Sequence, residues 1–401
     1  MFERIVLRRS EDGQHPTVGD LAEAMLFYRH MHLVLDGPAL LTLVQAVGID
    51  HLTSLLQRKK VSAVFCRDQV ATQTQQIGPL AHHRFTTIEI SGRQEQPKVK
   101  YTARDEIEDS LKAFLKLSGR KARKLTDEFL SVVPVKRLSS SDFLSGSSTS
   151  LVEAATADIH DSNYLVEAIA LALKSTPGFA GFSSPLALEV QPTHAGFVVY
   201  SNLDQILQKT NDARTRLPVS LGPVSVAALL TQVLTARSDM LVAAHYGSDF
   251  RTSQIGTNLL NLRCNELLRR SEIHTGEIDQ FQEVVVNEGR ALKEVMDSGE
   301  RSFVDFLKLL EKAKLFQNWT SGIHPDSSMV AEYLRENSRE GWIGGLPSKI
   351  LRFAVSSVAD SVVQGAGTAF GVADAFLIDK ICKGWRPNHF VERRLKPFVN
   401  G

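Results

Sequence analysis

Residues 353–373 read FAVSSVADSVVQGAGTAFGVA, and this stretch decides between two different kinds of protein. Asp360 is the single charged residue of these 21 positions. The stretch lies inside a longer segment rich in small and apolar residues, Ile350–Ile381. About 20 apolar residues are enough to span a bilayer. The sequence is therefore that of a membrane-entering chain if this segment inserts, or of a soluble helical one if it packs on itself.

Several features of this region favour insertion. Gly365 and Gly367 would let two helices approach closely in a membrane. A basic tail follows and would suit an anionic lipid surface. The residues that would carry a membrane or partner contact are Val358, Gly365, Gly367, Phe370, Trp385, Arg393 and Arg394.

The periodicity of the same segment argues for a soluble helix. Lys349, Arg352, Ser356, Asp360 and Gln364 recur at spacings of three or four and so fall on one helical face, with aliphatic residues on another. An aspartate near the centre of a span costs roughly 2.5–3.5 kcal/mol on insertion scales. We therefore expect a soluble helical hairpin, and keep insertion of residues 350–382 after activation as an alternative.

The composition is that of an ordinary globular protein without a strong net charge. The chain has 401 residues, 43% hydrophobic and 23% charged, which are globular values. Its net charge of +1 creates no global field for a polyanionic partner. The basic excess lies in residues 1–150 and 380–401, whereas residues 151–379 are acidic, so the ends could contact the body or an anionic surface.

The cysteines and the N-terminus indicate the compartment. Cys66, Cys264 and Cys382 are odd in number and far apart, which is typical of a reducing environment. Cys66 and Cys264 lie in apolar periodic segments, so we expect them to be small buried hydrophobic residues. The first residues contain no apolar run of signal-peptide length. We expect a cytoplasmic protein.

The N-terminal residues predict a small mixed α/β domain. Thr17 and Asp20 have the spacing of a capping box, and Pro38 suits the first turn of a helix that ends at Gly48. Thr102 and Asp105 form a second candidate cap. Runs of β-branched and aromatic residues predict strands at Phe2–Arg8, Met31–Leu35, Val61–Cys66 and Phe85–Ile90.

The rest of the chain predicts a mainly helical body with one embedded hairpin. Leu186–Val190 and Gly196–Tyr200 flank a five-residue loop, and apolar stripes of helical period dominate beyond residue 202. The fold class is α+β. The predicted units are an N-terminal α/β domain with a basic helical extension (1–137), a Ser-rich connector (138–150), the helical domain (151–345), and a C-terminal hairpin with basic tail (346–401).

The sequence lacks the common catalytic motifs. Nothing matches the P-loop, G-x-G-x-x-G, G-x-S-x-G, H-E-x-x-H or a paired C-x-x-C. The common nucleotide-hydrolysing, α/β-hydrolase and zincin chemistries are therefore disfavoured, and no motif indicates a cofactor or a metal ion. Enzymes whose sites assemble from scattered residues remain open.

Two weak patterns point to metal-assisted hydrolysis. The order of His82-His83, His160-Asp161 and Asp204 resembles that of HD-type phosphohydrolases, in which imidazoles and carboxylates hold a divalent ion. Glu189, followed by Gln191 on a predicted strand, resembles a metal-dependent nuclease core without its usual lysine. The plainer interpretation makes Asp158 and Asp161 caps or surface residues, and Glu189 a polar residue on the wet face of a hairpin.

A third pattern is basic. Arg120, Lys121, Arg123 and Lys124 cluster on a predicted helix and could neutralise phosphates. Acidic residues intervene and few aromatics interleave, which makes intrahelical ion pairing the plainer interpretation and nucleic acid the less favoured partner.

These observations favour a non-catalytic function. We expect a soluble intracellular scaffold, sensor or adaptor that acts through a protein partner, with a homo-oligomer as a further form. The first alternative is a membrane-active effector, for instance of a cellular defence or toxin system, that uses residues 350–382. The second is a cryptic metal-dependent phosphohydrolase or nuclease with His160, Asp161 or Glu189 in its site.

Overall fold

The protein is an α+β protein with two β-sheets, as its sequence predicts. The computed structural model describes residues 2–9, 14–58, 60–89, 101–144, 150–219, 221–252, 255–256, 258–260, 262–263, 287–313 and 349–350. The predicted C-terminal hairpin and basic tail therefore lie outside the described residues, except for positions 349–350.

Nine strands and eleven α-helices can be numbered along the described residues. The strands are β1 Phe2–Leu7, β2 Tyr28–Leu35, β3 Val61–Phe65, β4 Asp68–Ile77, β5 Leu80–Glu89, β6 Leu188–Thr193, β7 Gly196–Ser201, β8 Asp249–Thr252 and β9 Lys349–Ile350. The helices are α1 Val18–Phe27, α2 Gly37–Val47, α3 Ile49–Leu56, α4 Ala103–Phe114, α5 Gly119–Leu130, α6 Leu151–Ile159, α7 Ser162–Lys174, α8 Leu203–Arg214, α9 Val226–Tyr246, α10 Asn287–Asp297 and α11 Phe303–Lys312.

The first sheet is mostly parallel and has the order β3-β2-β1-β8-β9. Strands β1, β2, β3 and β8 run parallel, and β9 is antiparallel to β8. The chain leaves β1 towards β2 on one side, and returns on the other side with β8. Such a reversal of strand order opens a crevice at the carboxyl ends of the strands, where open α/β sheets bind their ligands.

The second sheet is antiparallel and has the order β4-β5-β7-β6. β4 and β5 form a long hairpin, and β6 and β7 form a second one. Gly196 begins β7 at a φ of 133°, and a Cβ there would lie 2.1 Å from the carbonyl oxygen of His83. The close approach of β7 to β5 therefore requires glycine at this position.

Several local predictions are confirmed. Thr17 with Asp20, and Thr102 with Asp105, form complete capping boxes at the starts of α1 and α4. Asp36 caps α2, whose first turn holds a proline and which ends at Gly48. Each of these features depends on residues close in sequence, so the sequence alone can specify it.

Other local predictions are wrong or incomplete. The sequence does not predict β4 and β8, because Gln and Thr dominate β4 and β8 is only four residues long. The β6–β7 hairpin is confirmed, but its predicted five-residue loop is a two-residue turn, since Thr193 already pairs with Gly196. Asp158 is not a cap or surface residue: it is buried between Arg237, at 3.1 Å, and Arg263, at 3.3 Å.

The parallel sheet separates two apolar clusters. On one face Ile5, Leu33 and Phe65 pack in the cluster that also contains residues of α2, α4, α5 and α11. On the other face Val6 and Val34 share a cluster with residues of α6, α7 and α9. Alternation along the strands therefore sends every second side chain towards α9, and this face carries the sites described below.

Both sheets combine strands from either side of the predicted connector. β8 and β9 join the sheet of β1–β3, and β6 and β7 join the hairpin of β4 and β5. The connector itself contains a 3-10 turn at Ser141–Phe143, and Ser150 caps α6. The boundary at 138–150 thus divides the sequence but does not divide the sheets.

Among the described residues, α9 alone is a single helix long and apolar enough to cross a membrane, by length and composition. The pair α2–α3 passes the same test only if its 106° bend is disregarded. In the most apolar 18-residue window of α9, 67% of the residues are buried inside the protein. A core helix shows the same property, so this finding carries little weight for a membrane span.

Candidate functional site

The carboxyl ends of β1, β2 and β3 bring polar residues together at one edge of the parallel sheet. Arg8 and Arg9 follow β1, Asp36 follows β2, and Cys66 and Asp68 follow β3. Because parallel strands end at the same edge, residues separated by about 60 positions become neighbours here.

A cavity of about 150 Å³ opens at this edge, and we call it the carboxyl-edge cavity. Strand β4 and the N-terminal half of α9 close its other sides, and Thr72 of β4 is held by a hydrogen bond of 3.1 Å from its N–H to Oγ1 of Thr231. The lining residues are Arg8, Arg9, Val34, Asp36, Cys66, Asp68, Gln69, Val70, Leu138, Thr231 and Thr235.

The two arginines of the cavity are held differently. Arg8 is mostly buried, donates to Ser238 Oγ at 2.9 Å and lies 3.2 Å from the buried carboxylate of Asp239. Arg9 is more exposed and lies 3.9 Å from Asp36. Arg8 is thus anchored by α9, whereas Arg9 keeps a loose contact that a ligand could replace.

The buried carboxylate of Asp68 has one oxygen that is hydrogen-bonded and one that is not. The residue is only 5% exposed. Its Oδ2 accepts hydrogen bonds from Ser139 N–H at 2.9 Å and Ser139 Oγ–H at 2.7 Å. Its Oδ1 is buried without a hydrogen-bond partner in the described part of the chain. An unpartnered buried carboxylate oxygen costs free energy, so a donor from a bound molecule would stabilise it.

Cys66 lies in the cavity as a neutral thiol. Burial raises its pKa to about 11, and the nearby Arg8 guanidinium only partly opposes this. A thiol needs to ionise before it attacks a substrate or binds a metal. Cys66 therefore acts here as a small apolar wall, as its sequence context predicts.

The predicted metal-site residues are placed apart from this cavity. His160 is an exposed residue at the end of α6, and Asp161 caps α7 by accepting from Tyr164 N–H at 3.3 Å. Glu189 is exposed on β6 and accepts from Gln191 Nε2 at 2.9 Å. In the part of the chain that is described, no three His, Cys, Asp or Glu side chains are grouped to hold a metal ion. The roles predicted for these residues stay predictions.

The predicted anion-binding residues lie on the exposed side of α5. Arg123 Nε is 3.6 Å from Glu108, and Lys124 is 3.6 Å from Glu128. Arg120 and Lys121 are exposed in the first turn. The ion pairs agree with the plainer interpretation of this helix, and its anion binding stays a prediction.

The predicted membrane and partner contacts belong to the C-terminal region of the chain. Val358, Gly365, Gly367, Phe370, Trp385, Arg393 and Arg394 lie outside the described residues. Their roles stay predictions.

Sequence reasoning missed the carboxyl-edge cavity, although two signals were present. Asp36 and Asp68 each follow a predicted buried strand closely, and Arg8-Arg9 ends the first strand. Polar residues directly after parallel strands would have pointed to this edge. The sequence does not show that the strands are parallel, because that arrangement depends on pairing between distant segments.

No protein-family model, no curated protein and no solved structure shows a significant match to this chain.

Proposed function

We propose that this protein is a non-catalytic sensor that binds a small zwitterionic molecule, of the size of an amino acid, in the carboxyl-edge cavity. The single observation that carries the proposal is the buried, unpartnered Oδ1 of Asp68 in a cavity lined by two arginines. A protein partner would then read the bound state, in keeping with the adaptor role expected from the sequence.

The charge of the lining favours a ligand with both signs. The lining contains Arg8 and Arg9 together with Asp36 and Asp68, but Arg8 is already paired with Asp239 outside the lining, so Arg9 is the cation that a ligand carboxylate could contact. A multiply charged anion would lie beside the carboxylates of Asp36 and Asp68 with only Arg9 to compensate its charge, which is costly in a partly buried site. A zwitterion would instead place its carboxylate at Arg9 and its ammonium group at Asp68.

The size of the cavity limits the ligand. A cavity of about 150 Å³ in another protein holds a six-membered carbon ring. The buried part of the ligand is therefore on the order of six to ten non-hydrogen atoms. The raised pKa of Cys66 supports binding over nucleophilic chemistry, because the thiol stays protonated at neutral pH.

Thermal denaturation of the full-length protein tests this proposal. Each of the twenty amino acids would be added separately, with ribose 5-phosphate as a polyhydroxylated anion for comparison. A ligand at 100 times its Kd stabilises the folded state by about 2.7 kcal/mol, a readily measured rise in Tm. We expect at least one amino acid to raise the Tm, and ribose 5-phosphate to have no effect.

A pair of variants locates the binding. Asp68→Asn removes the carboxylate charge and should weaken binding about tenfold or more, because a hydrogen bond to a charged group contributes about 1.5–3 kcal/mol. Asp50→Asn changes an exposed aspartate on α3 and should leave the affinity unchanged. The proposal is wrong if no amino acid binds, or if both variants bind as the wild type does.

A further inference from the structure

A cluster of basic side chains lies at the opposite, amino edge of the parallel sheet. Arg4 of β1 pairs in register with His30 of β2, and one step along, His32 of β2 pairs with Ser62 of β3. The alternation of the strands sends these side chains to the face that α9 covers. This amino-edge cluster is separate from the carboxyl-edge cavity, at the other end of the same strands.

The C-terminal end of α9 and the connector complete the cluster. The ring of His32 stacks on that of Tyr246, with centroids 4.4 Å apart, and His32 Nδ1 lies 2.6 Å from Ser62 Oγ. Lys136 follows the residue that bridges to β3, and its Nζ lies 2.8 Å from His245 Nε2. These contacts place His245, Tyr246 and Lys136 close to His32 of β2.

The charges of the cluster at neutral pH come from Arg4 and Lys136, because burial lowers the pKa of both His32 and His245 and keeps these rings neutral. Burial is the main reason that protonation of His32 is disfavoured, and the nearby Arg4, His30, His245 and Lys136 add to it. The acidic group beside Lys136 and His245 is Asp142, and its Oδ2 already accepts from Arg137 N–H at 2.8 Å. Within the described residues, neither Arg4 nor His30 has an ion pair with a carboxylate.

Both cations of the cluster have contacts inside the protein, and Lys136 Nζ donates to the carbonyl oxygen of Asp142 at 3.2 Å. Arg4 Nη1 donates to the carbonyl oxygen of Tyr246 at 3.3 Å, at the end of α9. A helix C-terminus carries about half a negative charge, which compensates only part of one cation. A counter-ion from outside the chain would therefore lower the electrostatic energy of the cluster.

We propose that the amino-edge cluster binds a compact oligophosphate, such as a chain of two or three linked phosphate groups. Neighbouring strands are about 4.8 Å apart, so the row from β1 to β3 extends about 10 Å. That width suits a few adjacent phosphates, which Arg4 and His30 would contact from the exposed rim. A long nucleic-acid backbone would need a more extended row of cations than three short strands supply.

Isothermal titration of the full-length protein with tripolyphosphate at low salt tests this site, with orthophosphate as the size control. We expect tripolyphosphate to bind at least tenfold more tightly than orthophosphate. Arg4→Met and His30→Gln should each weaken binding tenfold or more, whereas Arg4→Lys should retain it within about threefold. The doubly substituted Arg120→Met, Lys121→Met protein removes two exposed cations of α5 and serves as the matched control.

The outcomes distinguish binding at the amino-edge cluster from binding elsewhere on the protein. No binding of tripolyphosphate by the wild type would overturn the proposal, as would equal losses in the α5 control and the Arg4→Met variant. Tighter binding of a single-stranded oligonucleotide than of tripolyphosphate, lost with Arg4→Met, would replace the compact ligand with a nucleic acid. Amino-acid binding at the carboxyl-edge cavity should be unaffected by every one of these substitutions, so the two proposals fail independently.

Discussion

At the carboxyl edge of the parallel sheet, two arginines and two aspartates line a cavity. At the amino edge, Arg4 and His30 lie near Lys136 and two buried histidines, and within the described residues neither Arg4 nor His30 has a carboxylate partner. The same strands build both edges, and α9 crosses the face between them. The parallel strands determine where the side chains come together, and the residue types at the strand ends determine the net charge of each edge. A balanced, buried edge suits a zwitterion, and an unbalanced, half-exposed edge suits an anion.

Removing Asp239 should have the largest effect on stability and tests how strongly the carboxyl edge depends on the Arg8–Asp239 ion pair. Asp239→Ala should lower the free energy of unfolding by about 3–5 kcal/mol, because it leaves the mostly buried Arg8 without its counter-ion. Urea denaturation followed by circular dichroism measures this loss. Arg4→Met at the amino edge is the contrasting variant and should change the stability little, since Arg4 is exposed.

A loss below about 1 kcal/mol for Asp239→Ala would show that the pair contributes no more than an exposed one. The proposed contrast between a paired edge and an unpaired edge would then break down.

Acid should destabilise the amino edge through His32. The pKa of His32 is lowered to about 4, chiefly by burial and then by the charges of Arg4, His30, His245 and Lys136. Between its ordinary pKa of 6.5 and about 4, the unfolded chain binds a proton that the folded protein does not. Stability should therefore be full above about pH 6.5 and fall as the pH drops towards 4.

The slope for this one group is at most about 1.4 kcal/mol per pH unit, and smaller here because the ring is partly exposed to solvent. Denaturation at a series of pH values measures it, and His32→Gln should flatten the curve because glutamine does not titrate. A His32→Gln curve as steep as that of the wild type would assign the acid sensitivity to other groups.

Substitutions of Asp36 should have the smallest effect on stability, and they separate its role as the cap of α2 from its contact with Arg9. Asp36 Oδ1 accepts from Ala39 N–H at 2.8 Å and caps α2, while its other oxygen faces Arg9. Asp36→Asn keeps a good cap and should change the stability by a few tenths of a kcal/mol, whereas Asp36→Ala should lose about 1 kcal/mol.

Chemical denaturation of the two Asp36 variants gives both values. An equal loss in both variants would show that the negative charge, and not the cap, accounts for the contribution of Asp36. The carboxyl edge would then depend on its charge balance even at its exposed side.

The buried ion cluster shows why part of the structure could not be predicted. Asp158 stands near the C-terminal end of α6, and the sequence favours a cap or surface role for it. Its partners Arg237 and Arg263 come from positions far along the chain. Only the packing of α9 against α6 shows that this carboxylate is buried and doubly paired.

The sequence by itself determined the features that depend on neighbouring residues. These are the capping boxes of α1 and α4, the start and end of α2, the buried thiol of Cys66 and the α+β class. Each depends on hydrogen bonds or periodicity over a few residues, so the residue types alone specify it.

Only the tertiary structure decided which residues form the sites. β4 and β8 have weak propensity and become strands through their pairing with β5 and β1. The carboxyl ends of β1, β2 and β3 line the cavity, and α9 covers the face that joins the two edges. Contacts between residues distant in sequence require the whole chain to pack, and for that reason Asp68 and Arg4 gained their roles only in the folded protein.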